Sequence, residues 1–372
     1  MKFDIPLLPP KSDVETKAVL KQLAVSHRYL ALLNGRSATI PNENILINTL
    51  SLQEAKESSA IENIITTHDE MYKAELFEAY FNNSQAKEVS RYAQTLRSGF
   101  QQIREGAPIT HSLIKSIQKD LEQNDAGYRR NPGTVLKNAA TEEVVYTPPQ
   151  DLPTIEKLMD NLVEFINDDE MSELDPLIKM AIIHHRFETI HPFYDGNGRT
   201  GRIINILYLV KEDLLALPIL YLSRYIIQYK ADYYRLLQST RESNDWEEWI
   251  LYILKGVEET AKQTLHLIDG IKELMKNYKH RMRTELPKIY SQDLLNNLFN
   301  HPYTKIEFVE KDLNVERRTA SKYLNSLSEI GLLNKTKIGK SNFYINEPLY
   351  DLFVKGVPPA QPVEPIKTVT NE

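Results

Sequence analysis

Apolar residues recur at helical spacing through most of the chain. From Asp13 to about Gly106 the spacing is that of successive helices, with breaks predicted near Asn34-Gly35 and Pro41-Asn42. Residues 107–123 predict another helix. In 153–166 the positions Ile155, Leu158, Met159, Leu162, Val163 and Ile166 follow the i, i+3, i+4, i+7 rule of one buried face. Helical spacing continues over 175–190 to a turn at Thr189-Ile190-His191-Pro192. It then runs, interrupted near Pro218 and Asn244, to about Lys279, and Pro287 marks the next boundary. One stretch departs from this grammar: residues 126–149 carry glycine, β-branched residues and a Pro148-Pro149 stop, which predicts a short β-hairpin between helices.

Residues 290–346 have a pattern of their own. A helix over Gln292–Phe299 and a short one over Ile306–Asp312 precede a longer helix from about Glu316 to Ile330, closed by Gly331. Two β runs follow around Lys337-Ile338-Gly339-Lys340. Helix, helix, turn, helix, hairpin is the plan of a winged helix-turn-helix. The predicted organisation is a helical region over 1–106, a core over 107–255, a connecting helix over 256–287, a winged-helix domain over 288–350 and a disordered proline-bearing tail over 351–372. The fold class is mainly α. Residues 1–13, with three prolines, are expected to lie extended over a surface.

Composition narrows the chemistry. With 372 residues, two or three domains of ~100–200 residues are expected. The chain has no cysteine, which excludes disulfide scaffolds, Cys-ligated zinc and thiol catalysis. A net charge of −6 is not that of a polycation built to coat nucleic acid. The N-terminus lacks the apolar core of a signal peptide, and no run of ~18 apolar residues appears, so a cytoplasmic location without a membrane partner is expected.

The informative segment is His191-Pro-Phe-Tyr-Asp-Gly-Asn-Gly-Arg-Thr-Gly-Arg202. Its Asp-Gly-Asn-Gly loop exposes backbone N–H groups directly before a helix, whose N-terminus attracts anions. Arg199 and Arg202, three apart, both project from the first turn, and two guanidinium forks beside such a nest suit a di- or triphosphate. Asp195 is a hard oxygen ligand suited to a Mg²⁺ that bridges phosphates. His191 lies just upstream, where a neutral imidazole can take a proton from an incoming hydroxyl. Together these parts form an apparatus for phosphoryl or nucleotidyl transfer. His184 and His185 are adjacent on a helix and so point apart, which argues against a metal site with His191.

HPFYDGNGRTGR resembles the Fic family signature H-x-F-x-D-G-N-G-R-x-x-R at every defined position. The resemblance implies a helical core with the loop between two helices, and transfer of AMP from ATP to a protein hydroxyl with release of pyrophosphate. It implies His191 as the base, Asp195 as the Mg²⁺ ligand, and Gly196, Asn197, Gly198, Arg199, Thr200, Gly201 and Arg202 as the nucleotide-binding set, with Phe193 as a core anchor. The hairpin over 126–149 resembles the family's flap, which holds a target chain by strand pairing. Tyr233-Tyr234 falls where the family sets an aromatic, Tyr233, against the nucleotide. Ser58-Ser-Ala-Ile-Glu62-Asn63 resembles the family's inhibitory S/T-x-x-x-E-G/N helix, placed near 51–63. There Glu62 would pair with Arg202 and block productive nucleotide placement, with Ser58 on the same face.

The C-terminal module adds a second reading. Residues 317–340 hold six cations, Arg317, Arg318, Lys322, Lys335, Lys337 and Lys340, against Glu329 alone. Arg318, Lys322 and Asn325 form one stripe of the candidate recognition helix, opposite Ala320, Leu324 and Leu327, as DNA binding requires. The leading expectation is an autoinhibited protein adenylyltransferase acting on a Ser, Thr or Tyr hydroxyl of a target protein. The alternative is a nucleotide-sensing, DNA-binding regulator. A second copy of the chain stays open as a partner.

Overall fold

The computed structural model describes residues 5–76, 83–137, 141–338 and 341–355. Its N-terminal part is built of α1 (Lys17–Ser37), α2 (Glu43–Ile61), α3 (His68–Leu76), α4 (Ser84–Arg104) and α5 (His111–Glu122). Thr16, Asn42, Asn83 and Thr110 cap α1, α2, α4 and α5 through their side chains, each accepting from a backbone N–H of the first turn. The break predicted at Asn34-Gly35 does not occur, because α1 continues to Ser37. An exposed mid-helix glycine costs only about 1 kcal/mol, and Leu23, Leu30 and Leu33 of α1 are buried.

The hairpin consists of β1 (Leu136–Lys137) and β2 (Val144–Tyr146), antiparallel and irregular in register. Next come α6 (Leu152–Asn167), α7 (Pro176–Ile190), α8 (Asn197–Lys211), α9 (Ser223–Gln228) and α10 (Lys230–Ser243). Every residue of α7 from Leu177 to Ile190 is buried, and α8 is nearly as enclosed. A helix buried on every side lies at the centre, and its Lys179, His184, His185, Arg186 and Glu188 are enclosed with the apolar residues. The loop between these two helices is therefore held by two buried helices.

The predicted connecting helix is the larger, C-terminal part of one continuous helix, α11 (Glu247–Glu285), 39 residues long. Its buried stripe runs from Trp249 through Ile253, Val257, Ala261, Ile268 and Met275 to Met282. Near its end the Tyr278 hydroxyl lies 2.7 Å from the Leu332 carbonyl oxygen and 2.8 Å from Asn346 Oδ1, so α11 forms part of the C-terminal core. That module contains α12 (Gln292–Asn300), β3 (Tyr303–Thr304), α13 (Ile306–Leu313), α14 (Arg317–Glu329), β4 (Asn334–Ile338) and β5 (Ser341–Ile345), with sheet order β3-β5-β4. The tail expected from 351 does not begin there. Asp351–Lys355 belong to α15 (Glu347–Lys355), whose Leu352 and Phe353 are buried, while 356–372 lie outside the described residues. The module rests on the N-terminal helices: Asn48 Nδ2 donates to Asn300 Oδ1 (2.7 Å), the Tyr303 hydroxyl to Asp69 Oδ1 (2.8 Å), and the Tyr72 ring stacks on Tyr303. Among the described residues no helix is long and apolar enough to cross a membrane.

Candidate active site

Helix α7 ends at His191, whose backbone turns left-handed (φ 49°) and donates its N–H to Phe187 O at 2.9 Å. Arg129, 1% exposed, holds this turn: its Nε donates to His191 O (2.8 Å) and its own N–H to Pro192 O (2.9 Å). Phe193 is fully buried against the rings of Tyr128 and Phe187. Asn197 closes the loop on itself, accepting the Phe193 N–H on Oδ1 and donating from Nδ2 to Phe193 O, both at 2.9 Å. Gly196 caps α8 at φ +78°, a conformation that an L side chain would strain. The first helical hydrogen bond, Thr200 N–H to Gly196 O, leaves the N–H groups before it without helical partners. An anion nest follows.

Both loop arginines are buried and already engaged. Arg202 Nε donates to Ser58 Oγ (2.7 Å), and its Nη2 to Ser58 O (3.0 Å) and Glu62 Oε1 (2.8 Å). Glu62 is the C-cap of α2, just past the helix rather than within it. Lys230 fixes this end by donating Nζ to Ile61 O (2.6 Å), a cation where the helix dipole favours one. The Glu62 carboxylate lies over Gly198, on the spot a Cβ there would take. Arg199 donates to Glu122 (2.7 Å, Nη2) and Glu88 (3.2 Å, Nη1).

Charges follow from this packing. Burial opposes ionisation of Glu62, yet the Arg202 charge and hydrogen bond, with Arg199 and His191, hold its carboxyl below the usual range. Burial, with the charges of Arg241 and Arg129, pushes His191 down to about 3, so the imidazole is neutral at pH 7. Burial lifts Glu188, three residues before it, to about 7 against the pull of Arg202.

The structure brings together His191, Asp195, Gly196, Asn197, Gly198, Arg199, Arg202, Ser58 and Glu62. Three residues expected at the nucleotide are enclosed by protein. Tyr233 is 2% exposed, packed on Trp249 and hydrogen-bonded with His184, so it is a core residue behind Arg202. Tyr234 is its exposed neighbour. Thr200 is buried, and a Cβ on Gly201 would press on Phe187 at 3.0 Å, so Gly201 serves the close approach of α8 to α7. The Asn197 side chain braces the loop and offers only its backbone to phosphates. Asp195 is exposed; its Oδ1 accepts the Gly196 N–H at 2.7 Å, and Oδ2 has no protein partner among the described residues. One open carboxylate oxygen beside a phosphate nest fits Mg²⁺, which is held by one or two carboxylates plus substrate phosphates. No group of three metal-ligating side chains occurs among the described residues.

Residues outside the motif complete the site. The Tyr146 hydroxyl, from the hairpin, donates to Thr189 O (2.9 Å), and the Arg241 guanidinium lies 4.1 Å from the Tyr146 ring centroid while donating to Glu188 O. This ties the hairpin beside His191, with Val144 and Val145 exposed. In the C-terminal module Arg317 is paired with Glu307 and Glu310, Lys335 donates to Asn325, and Lys340 lies outside the described residues. Arg318, Lys322 and Lys337 are exposed, as cations on a solvated surface ordinarily are.

Comparisons with known proteins match three parts of the chain. Residues 20–101 match the Fic/DOC family N-terminal profile, 108–209 the Fic/DOC family profile, and 274–349 that of the C-terminal domain of protein adenylyltransferase SoFic-like. Protein adenylyltransferase fic-1 of Caenorhabditis elegans is 29% identical over 120 residues, which cover 32% of this chain and 22% of that protein. Probable protein adenylyltransferase aq_aa38 of Aquifex aeolicus is 31% identical over 110 residues, 29% of this chain and 32% of its own. The match to fic-1 thus spans about a fifth of that relative's length. A Fic family protein from Desulfovibrio desulfuricans G20 superposes over 91% of this chain and 98% of its own, with a TM-score of 0.56 at 19% identity. Residues 134–508 of Fic-1 from C. elegans superpose over 66% of this chain and 72% of theirs, with a TM-score of 0.53 at 20% identity. At these identities the likeness is one of fold.

Proposed function

Because the chain belongs to the Fic/DOC family, we propose that it is an autoinhibited protein adenylyltransferase, moving AMP from ATP to a hydroxyl of a target protein. The observation that carries this reading is a neutral His191 beside a phosphate nest whose Arg202 is held by Glu62. In the reaction the target hydroxyl gives its proton to the imidazole of His191, and its oxygen bonds to the α-phosphorus. The bond from that phosphorus to the bridging oxygen breaks, and pyrophosphate leaves. Nucleotide phosphates are negative charges close to His191, so they raise its affinity for a proton toward the working range of a base. The nest and the two arginines bind and orient the β- and γ-phosphates once the carboxylates have withdrawn. Asp195 would hold Mg²⁺, which neutralises phosphate charge. The hairpin, with its exposed valines, is placed to hold the target chain by strand pairing.

The experiment is incubation of the Glu62→Gly variant with ATP labelled on the α- or the γ-phosphate. Label retained on protein from the α position is expected. Label retained only from the γ position would assign phosphotransfer instead. A companion measurement is the dependence of labelling on Mg²⁺ concentration: Asp195→Ala is expected to lose most of it, and identical Mg²⁺ curves for variant and parent would remove Asp195 from the metal site.

A further inference from the structure

Arg199 was expected to face phosphate, yet it is enclosed. Its side chain is 5% exposed, and two carboxylates from different helices take its fork, Glu122 ending α5 and Glu88 on α4. Glu122 also crowds the start of α8: a Cβ built on Gly196 would meet its Oε1 at 2.5 Å. A carboxylate is badly placed at the last residue of a helix, where the dipole is negative. Burial and the charges of Asp195 and Glu88 add to that cost, and its carboxyl is raised above the usual range despite Arg199. A residue that breaks local rules at a binding site is a candidate for function rather than stability.

We propose that Glu122 is a second carboxylate lock on the nucleotide site, closing Gly196 and Arg199 as Glu62 closes Gly198 and Arg202. This rests on the reading of the site as an ATP site. The two locks come from α5 and α2, so lifting α2 releases Arg202 and leaves Arg199 engaged. Arg91 on α4 is a further cation whose charge acts on Glu122.

The test is calorimetric titration with ATP, and with tripolyphosphate as a probe lacking the nucleoside, of the parent protein, Glu62→Gly, Glu122→Gln and the double variant. Gln keeps the size and the hydrogen bond but removes the charge. Expected is a gain of about three- to tenfold in affinity for both probes on adding Glu122→Gln to Glu62→Gly, the scale of one charge-assisted contact. Glu122→Ala should do the same, with circular dichroism reporting the fold. Unchanged or weaker binding of both probes, with Glu62→Gly still binding ATP, would overturn the lock and make Glu122 a positioning residue for Arg199. Failure of every folded variant to bind either probe would overturn the lock and the ATP reading together.

Discussion

Replacing His191 with alanine is expected to lower protein labelling from α-labelled ATP by ~10²–10⁴-fold, the usual contribution of a positioned general base. ATP affinity should stay close to that of the parent, because phosphates are gripped by the nest and the arginines. Two carboxylates lie nearby among the described residues. Asp195 is exposed and bonded to Gly196. Glu188 is buried between α7 and α8, where a Cβ on Gly201 would lie 3.2 Å from its Oε1. The αL turn at His191 is held by Arg129 through backbone atoms, so the substitution should leave the loop in place. The comparison is best made in the Glu62→Gly background, where activity is expected to be highest. Near-full labelling by the double variant would remove His191 from the mechanism.

Glu62→Gly alone is expected to raise labelling of lysate proteins about tenfold over the parent. A hydrogen bond to a charged group contributes roughly 1.5–3 kcal/mol. The Glu62 side chain is 37% exposed, and solvent screening places the pair near the lower figure. At about 1.4 kcal/mol per decade this amounts to one power of ten in competent sites. Only Oε1 meets the guanidinium, so the contact is single rather than bidentate, and Ser58 supplies the other two bonds. Ser58→Ala should therefore act in the same direction but more weakly, since its carbonyl still accepts from Arg202. Equal labelling by folded parent and Glu62→Gly would sink the autoinhibitory assignment and leave the transferase standing.

The helices and the loop were legible because they are written locally. Caps, periodic apolar positions and the twelve-residue motif each need only neighbours in sequence to be recognised. Ser58 and Glu62 were legible only through resemblance, since S-x-x-x-E is common on helices. What escaped is what depends on tertiary approach. Nothing in the run around Glu122 marks it as a partner of Arg199, 77 residues away. Arg129 reads as part of a basic pair in a loop, although it is among the largest fully buried side chains. Tyr233 is set against the nucleotide only by the family resemblance, and its packing on Trp249 is not written in the sequence around it. The continuation of α11 into the C-terminal module was hidden for a similar reason: Tyr278 looks like any helical tyrosine until Leu332 and Asn346 are folded against it.

The reciprocal bonds between Asn197 and the backbone of Phe193 mean that the loop keeps its shape with nothing bound. Its residues lose little freedom when ATP arrives, so the conformational entropy given up falls mainly on the nucleotide and on the side chains it displaces. A preorganised cradle with a removable occupant behaves as a competition between two anions, a tethered carboxylate and a free phosphate. The tethered one has an effective concentration set by how firmly α2 is held, and any event that loosens Lys230 from Ile61 dilutes it. On the proposed reading, ATP responsiveness is then a graded property, tuned by the stability of one helix end, with no need for the loop itself to change.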